Sequence, residues 1–222
     1  MNSLEQTIRD CRPQSMLDMG CGCGAFTVEI ADAAETITGI DPFEGIVKRG
    51  RRENPAPNIR YLCMDGRSMG FSDARFDLVF ARYSLHHMTR WEGAVHEMLR
   101  VSRRHVILAE PFDDDRSEAK RNTLRLWGDM LELQREIGHP HYPHMTVDAM
   151  ERFVRSLNRP YRKMIDWIDD LRSCEEFFAG FRVFAERSER RGEWMDRIEG
   201  LEREMQGAEM SVHDRMVFLI EK

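Results

Sequence analysis

One stretch constrains this chain more than any other: Ser15-Met16-Leu17-Asp18-Met19-Gly20-Cys21-Gly22-Cys23-Gly24-Ala25-Phe26. A short apolar approach, Met16 and Leu17, meets an acid and then three glycines at alternate positions. Ala25 to Ala31 follows, with apolar residues at helical spacing. This order predicts a buried strand, a turn in which Cβ atoms would obstruct, and a helix. Such a turn lets a ligand lie against the main chain, and the helix behind it offers unpaired N–H groups to polar ligand atoms. The pattern is that of a nucleotide-type cofactor loop.

The glycines alone leave the cofactor open, because Gly20-x-Gly22-x-x-Ala25 also satisfies the loose dinucleotide fingerprint. Charge separates the candidates. Gly22-x-Gly24 adds a third position of close approach, and Asp18 stands two residues before the first glycine. A carboxylate there repels a pyrophosphate but suits a ligand carrying an ammonium and a sulfonium. S-adenosylmethionine is therefore favoured over NAD, whose usual fold also needs a second dinucleotide-binding half.

Composition narrows the class. At 222 residues, 41% hydrophobic and 32% charged, the chain suits one well-buried domain with room for a subdomain. No run approaches the roughly 20 apolar residues of a membrane span. Residues 1–15 carry Glu5, Arg9 and Asp10 and no apolar core of signal-peptide length. The five cysteines, Cys11, Cys21, Cys23, Cys63 and Cys174, form no disulfide framework, which fits reduced thiols and a cytoplasmic location. A net charge of −6 argues against nucleic acid as a partner.

The chain then alternates strand and helix. A short helix over 3–11 ends at Pro13. Thr36-Ile37-Thr38-Gly39-Ile40-Asp41 is a β-branched run ending in an acid about 20 residues after the first glycine, where α/β folds of this kind place a carboxylate on ribose hydroxyls. A helix from about 43 to 52 follows. Asn58 to Gly66 is a third strand ending in Asp65-Gly66, Arg75 to Ala81 a fourth, and Arg104 to Pro111 a fifth, with a helix from Trp91 to Arg100 before it. Alternation of this kind implies a parallel sheet wrapped by helices.

These residues carry a resemblance. The order Leu-Asp-x-Gly-Cys-Gly-x-Gly, Gly-Ile-Asp, x-Asp-Gly, Phe-Ser-Asp, Phe-Asp-Leu-Val, Leu-His-His and Ile-Leu-Ala-Glu-Pro, over about residues 14–111, resembles the class I S-adenosylmethionine-dependent methyltransferases. The most similar group is the small-molecule type related to ubiquinone and menaquinone biosynthesis. Val101-Ser102-Arg103-Arg104-His105 departs from it, since the family usually has a Lys-Pro-Gly-Gly turn there. The resemblance implies an α/β fold with a Rossmann-like, seven-stranded, mostly parallel sheet and helices on both faces. An antiparallel last strand closes that sheet, for which Arg215 to Lys222 fits. It further implies that Gly20, Gly22 and Gly24 pass under the methionine part of the cofactor and that Asp18 orients toward its amino group. Asp41 would accept the ribose hydroxyls, Asp65 would meet the adenine amino group with Gly66 against the ring, and Ala81 would offer a backbone contact. S-adenosylhomocysteine would be the product.

Beyond Pro111 the match weakens. Asp115 to Ile137 reads as an amphipathic helix with Leu124, Trp127, Met130 and Leu131 on one side and Gly138 as its C-cap. His139-Pro140-His141-Tyr142-Pro143-His144 is a proline-stiffened histidine loop, Thr146 caps a helix reaching Leu157, and Tyr161 to Ile168 is the sixth strand. Residues 1–222 are then expected to form a single domain. Within it, 112–160 would cover the substrate, and 171–210 would be a helical insertion between the last two strands. In that insertion Leu171, Cys174, Phe177, Phe178, Phe181 and Phe184 form one apolar stripe, and Trp194, Ile198, Leu201 and Met205 another. The stripes either pack on one another and on the sheet, or serve as a homodimer interface or lid.

The chemistry expected is in-line transfer of a methyl group to a small-molecule acceptor, where positioning dominates and a base helps only if the acceptor loses a proton. Near the strand ends, Tyr83 is a candidate acceptor contact and His86 a candidate base. His141, Tyr142 and His144 are candidate acceptor contacts. No metal is invoked, since no acid or histidine at standard spacing accompanies these histidines. Cys21-x-Cys23 reads as small residues in a tight loop. The alternative function is a non-catalytic S-adenosylmethionine-binding protein whose insertion binds a partner.

Overall fold

The computed structural model describes residues 3–222. These divide into two compact units. The first holds the chain through Pro111 together with Met145–Asp166 and Arg215–Lys222; the second holds Phe112–His144 and Trp167–Asp214.

In the first unit, α1 (Ser3–Asp10) precedes β1 (Ser15–Met19), α2 (Ala25–Glu29), β2 (Thr36–Asp41), α3 (Glu44–Glu53) and β3 (Ile59–Cys63). Then come β4 (Phe76–Arg82), α4 (Trp91–Val101) and β5 (Ser102–Phe112), whose last residue crosses into the second unit. After α5 (Glu118–Glu136) of the second unit, the chain returns as α6 (Val147–Ser156) and β6 (Tyr161–Asp166). It leaves again for β7 (Leu171–Ser173), α7 (Cys174–Ala185), α8 (Arg191–Glu204) and β8 (Glu209–Ser211), and ends in β9 (Asp214–Glu221).

The main sheet has the order β3-β2-β1-β4-β5-β9-β6. Strands β1 to β5 pair in parallel, with Asp18 opposite Gly39 and Phe80 and Ala81 opposite Met19 and Leu108. β9 runs antiparallel to β6, Tyr161 facing Ile220 and Asp166 facing Arg215. The Lys222 N–H donates to the Arg104 carbonyl at 2.9 Å, so β9 ends where β5 begins. The expected seven-stranded, mostly parallel sheet with an antiparallel closing strand is what forms.

Strand periodicity distributes the core. Met16, Ile37, Leu78, Phe80, Ile107, Ala109 and Val217 pack with Leu4 and Ile8 of α1 and with Phe26 and Ile30 on one face. Across the sheet, α4 buries Val95 and Met98, and its Trp91 meets Phe153 of α6 edge to face at 4.6 Å. The unusual Val101–His105 segment makes no separate turn. α4 runs to Val101, β5 starts at Ser102, the Ser102 hydroxyl donates to the His105 carbonyl, and the ladder to β4 shifts register between Phe76 and Leu78.

The second unit corrects several boundaries. α5 begins at Glu118 rather than at Asp115, because the Ser117 hydroxyl caps it through the Lys120 N–H and Asp114 instead bonds the Arg116 N–H. Its deeply buried face carries Leu126 and Leu133 rather than Leu124. Gly138 does end it in the left-handed conformation (φ 72°), with the His139 N–H bonded to the Gln134 carbonyl. Over 171–210, α7 and α8 pack Phe178, Phe181, Trp194 and Ile198 against each other and against α5. Leu171 leaves the stripe: it lies in β7, which pairs antiparallel with β8, and is 53% exposed. β6 ends at Asp166, two residues earlier than its apolar run suggests.

Phe181 is 1% exposed at the centre of this cluster. Phe181→Ala is expected to destabilise the second unit by about 3–5 kcal/mol through lost burial and a cavity. Urea unfolding followed by tryptophan fluorescence measures this; a loss below about 1 kcal/mol would mean that the stripes do not form a packed core.

Candidate functional site

The glycine turn joins β1 to α2 at the carboxyl edge of the sheet. Gly20, Gly22 and Gly24 have φ values of 78°, 55° and 78°, a region that L side chains avoid. The close contacts differ between them. A Cβ on Gly20 would stand 2.4 Å from the Ser84 Cβ, and one on Gly24 would stand 2.2 Å from the Tyr61 hydroxyl. A Cβ on Gly22 would meet no atom within 4 Å. Two glycines therefore let protein pack against the turn, and the middle one leaves its outer side open.

The turn is tied down from several elements. Gly20 and Cys21 donate N–H groups to the Ile40 carbonyl at 2.8 and 3.0 Å. The Ser84 hydroxyl, just beyond β4, donates to the Met19 carbonyl at 3.1 Å, and the Asn54 side-chain amide, just beyond α3, donates to the Cys23 carbonyl at 2.8 Å. Asp41, at the end of β2, accepts the Gly22 N–H on Oδ2 at 3.2 Å and the Phe43 N–H on Oδ1 at 3.0 Å. Each carboxylate oxygen keeps a further lone pair for a ligand hydroxyl. Burial pushes the Asp41 carboxyl above its ordinary range, against the two backbone donors. Phe43, two residues on, is 51% exposed.

Asp18 is buried in β1, and Thr27 of α2 donates its hydroxyl to Asp18 Oδ2 at 2.6 Å. Desolvation raises its carboxyl to about 7, although the Thr27 bond pulls the other way. Asp65 lies two residues past β3, where its carboxylate holds the Arg67 side chain and backbone N–H; the Arg67 bond keeps it below the ordinary range. Gly66 is buried, and a Cβ there would stand 2.4 Å from Met19 Sδ. Ala81 is buried in β4 beside Met19.

Beyond β4 the chain enters a strained turn. Tyr83 has φ 52°, and its N–H bonds the Ala109 carbonyl at 2.8 Å. The Arg82 guanidinium lies over the Tyr83 and Phe26 rings, 4.8 and 4.4 Å from their centroids. Glu110 of β5, fully buried, organises the residues after Tyr83. Its Oε1 accepts the Ser84 and Leu85 N–H groups at 2.9 Å each, and its Oε2 accepts His86 Nδ1 at 2.6 Å. His86 is 6% exposed, and its ring lies 4.2 Å from that of His87.

Ser84 and Glu110 brace this turn; the sequence motifs omit Ser84 and contain Glu110 only as the acid of Ile-Leu-Ala-Glu-Pro, with no role attached. In sequence Glu110 is only a strand end before a proline, and its partners lie over 20 residues upstream. In the second unit, His141 is buried with Nδ1 on the Gln134 side-chain oxygen, Tyr142 is 37% exposed, and His144 Nδ1 bonds Asp113 Oδ1 at 2.7 Å.

Residues 17–109, from the first strand to the fifth, match the model of the methyltransferase domain family. Over this stretch the chain is similar to the class I, S-adenosylmethionine-dependent methyltransferases. Demethylmenaquinone methyltransferase of Renibacterium salmoninarum is 31% identical to the methyltransferase domain over 90 residues, which are 40% of this chain and 37% of that relative. The chain thus matches little more than a third of that relative's length. Among solved structures, YcgJ from Bacillus subtilis superposes with a TM-score of 0.67 at 15% identity, covering 99% of this chain and 97% of YcgJ. The N-methyltransferase NodS from Bradyrhizobium japonicum WM9, in complex with S-adenosylhomocysteine, gives 0.56 at 14% identity, covering 99% and 86%. At such identities the likeness carries the fold of the methyltransferase domain.

The raised carboxyl of Asp18 has a consequence for stability. Its folded value near 7 exceeds the unfolded value of 3.8, so the fold favours the protonated acid. That contribution is complete below about pH 4 and fades as pH rises through about 7. Asp18→Asn keeps an oxygen for Thr27 and cannot ionise. Its unfolding free energy relative to wild type should therefore improve by more than about 1 kcal/mol between about pH 4 and pH 8. A difference that stays flat with pH would contradict the buried setting of Asp18.

Proposed function

We propose that this chain binds S-adenosylmethionine at the glycine turn and transfers its methyl group to a small-molecule acceptor. The observation that carries the reading is the open side of Gly22 beside the Asp41 carboxylate, both within the matched domain. When bound, the cofactor supplies a methyl group on a sulfonium, a good leaving group open to in-line displacement.

This chain's residues supply the positioning. Gly20, Gly22 and Gly24 keep the turn free of Cβ atoms so that the methionine part can lie on the backbone. Asp41 takes the ribose hydroxyls with its remaining lone pairs, and the exposed Phe43 ring beside it suits the adenine face. Asp65 takes the adenine amino group in place of part of its contact with Arg67, with Gly66 against the ring. Asp18, through the loop, favours a cationic amino group, whose approach would in turn favour the ionised acid. Ala81 offers a backbone contact. His86, with Nδ1 held by Glu110, is oriented as a base or as a support for the turn, and Tyr83 in its strained conformation presents a ring to the acceptor.

His141 and Tyr142 are the proposed acceptor contacts from the 112–160 covering segment; the preference is for an aromatic or polar small molecule over a polyanion. Residues 171–210 are proposed as an addition separable from cofactor binding. A homodimer through this segment would use faces other than the buried stripes, such as the one bearing the exposed Val183. Among the described residues no helix is long and apolar enough to cross a membrane, and all five cysteines are free, in keeping with a reducing, cytoplasmic setting.

Calorimetry with S-adenosylhomocysteine tests the cofactor end. Asp41→Asn, which keeps one acceptor oxygen and loses the charge, should weaken binding by about 1.5–3 kcal/mol. Undiminished affinity, or tight binding of NADH by the wild type, would overturn the assignment. For the acceptor end, His141→Ala and Tyr142→Phe should each slow methyl transfer at least tenfold, about 1.4 kcal/mol in the barrier, with S-adenosylhomocysteine affinity retained. Wild-type turnover in both variants would leave these residues as structural loop positions.

A further inference from the structure

Asp113 lies in the acidic turn after β5, His144 in the proline-stiffened loop after α5, and His213 between β8 and β9. Far apart in sequence, they meet within the second unit. Asp113 Oδ1 is 2.7 Å from His144 Nδ1 and 3.4 Å from His213 Nδ1. The two imidazoles stand edge to face, 4.4 Å between centroids. One ligand-type atom from each of the three residues lies within 4.8 Å of the other two. Trp127 of α5 backs the pair, its ring 4.7 Å from His144 and 4.5 Å from His213, which limits how far either imidazole can turn. The His144 side chain is 2% exposed, whereas Asp113 at 41% leaves the cluster open to solvent.

A neutral imidazole is satisfied by one acceptor for its N–H and one donor for its other ring nitrogen. Here two imidazoles converge on one carboxylate oxygen, and if both were charged they would repel each other at this separation. A divalent cation reconciles the three groups. We propose that Asp113, His144 and His213 form a binding site for a divalent first-row transition metal ion, with two nitrogen ligands and one oxygen ligand. Such a set matches zinc and non-haem iron sites, in which three protein ligands leave a position open for water or a substrate atom. An ion with ~2.1 Å bonds in tetrahedral geometry holds its ligand atoms roughly 3.4 Å apart. The 3.4 Å contact of Asp113 with His213 matches that spacing, the 2.7 Å contact with His144 is shorter, and no pair in the cluster exceeds 4.8 Å, so closing needs at most ~1.4 Å through side-chain torsions.

The histidine loop alone shows no such set, because its two partners come from the turn before α5 and from beyond the far end of the inserted helices. The assignment moves His144 from acceptor contact to metal ligand. It is independent of methyl transfer, so its test reads metal rather than turnover.

The full chain, stripped with chelator and dialysed, is titrated with cobalt(II) as the probe and followed by calorimetry and visible absorption. One cobalt per chain is expected, with ligand-field bands of a nitrogen–oxygen site and no sulfur charge-transfer band. Losing a group that merely orients a ligand typically costs 10–100-fold in metal affinity, so His213→Ala and Asp113→Asn, which remove direct ligands, should each weaken binding at least ~100-fold. His105→Ala, on β5 of the first unit, should leave it unchanged. Asp113→Asn keeps the shape of a partly exposed side chain, and circular dichroism verifies that both variants fold. No cobalt uptake by the wild type, a thiolate band, or equal affinity in folded Asp113→Asn would overturn the proposal.

Discussion

The structure around the cofactor turn depends on one constraint: main chain at Gly20, Gly22 and Gly24 must run in a conformation that Cβ-bearing residues resist. Left-handed backbone is held here by its surroundings. The Ile40 carbonyl takes two N–H groups, Asp41 takes a third, and the Ser84 hydroxyl reaches the carbonyl just before the turn. Three strands thus converge on one loop, and their parallel register brings those groups to the same edge of the sheet. Asp41 has two duties. It bridges the glycine turn to the start of α3 with one backbone donor on each oxygen, and under the proposed function the same carboxylate meets the ligand.

A second layer of support comes from Glu110. A fully buried carboxylate beside three successive backbone N–H groups and an imidazole is costly to desolvate, and its hydrogen bonds offset that cost. It fixes the turn that carries Tyr83, Ser84 and His86, and through Ser84 it reaches the glycine loop. The strained φ of Tyr83 persists because both ends of that turn are held.

Much of this is legible from sequence alone. Three glycines at alternate positions, an acid at a strand end about 20 residues on, and β-branched runs of strand length each have a short-range physical cause. They lead to the parallel strands of the sheet, and the family resemblance adds the antiparallel closing strand at Arg215 to Lys222. Less legible are features created by distant pairing. Glu110 stands in a quoted motif without a sign of its role, because its partners lie in the turn after β4. The stripe beginning at Leu171 reads as wholly helical, since apolar spacing cannot tell that a three-residue strand will pair with Met210 and its neighbours. The helix start is read three residues early because Asp115 and Ser117 are both cap-forming types, and it is the Ser117 hydroxyl that takes the Lys120 N–H. The meeting of Asp113 with His144 and His213 arises from topology, and no window of sequence contains it.

The central claim is that the outer side of the glycine turn is a ligand surface, and Gly22 tests it most directly. A Cβ there touches no protein atom within 4 Å, so Gly22→Ala costs only left-handed backbone strain, about 1–2 kcal/mol. The decisive measurement is calorimetric titration of S-adenosylhomocysteine into wild type and Gly22→Ala, with thermal melting of both. The account predicts a folded variant, modestly lower in Tm, whose affinity falls tenfold or more. A folded variant that binds as tightly as the wild type would contradict it.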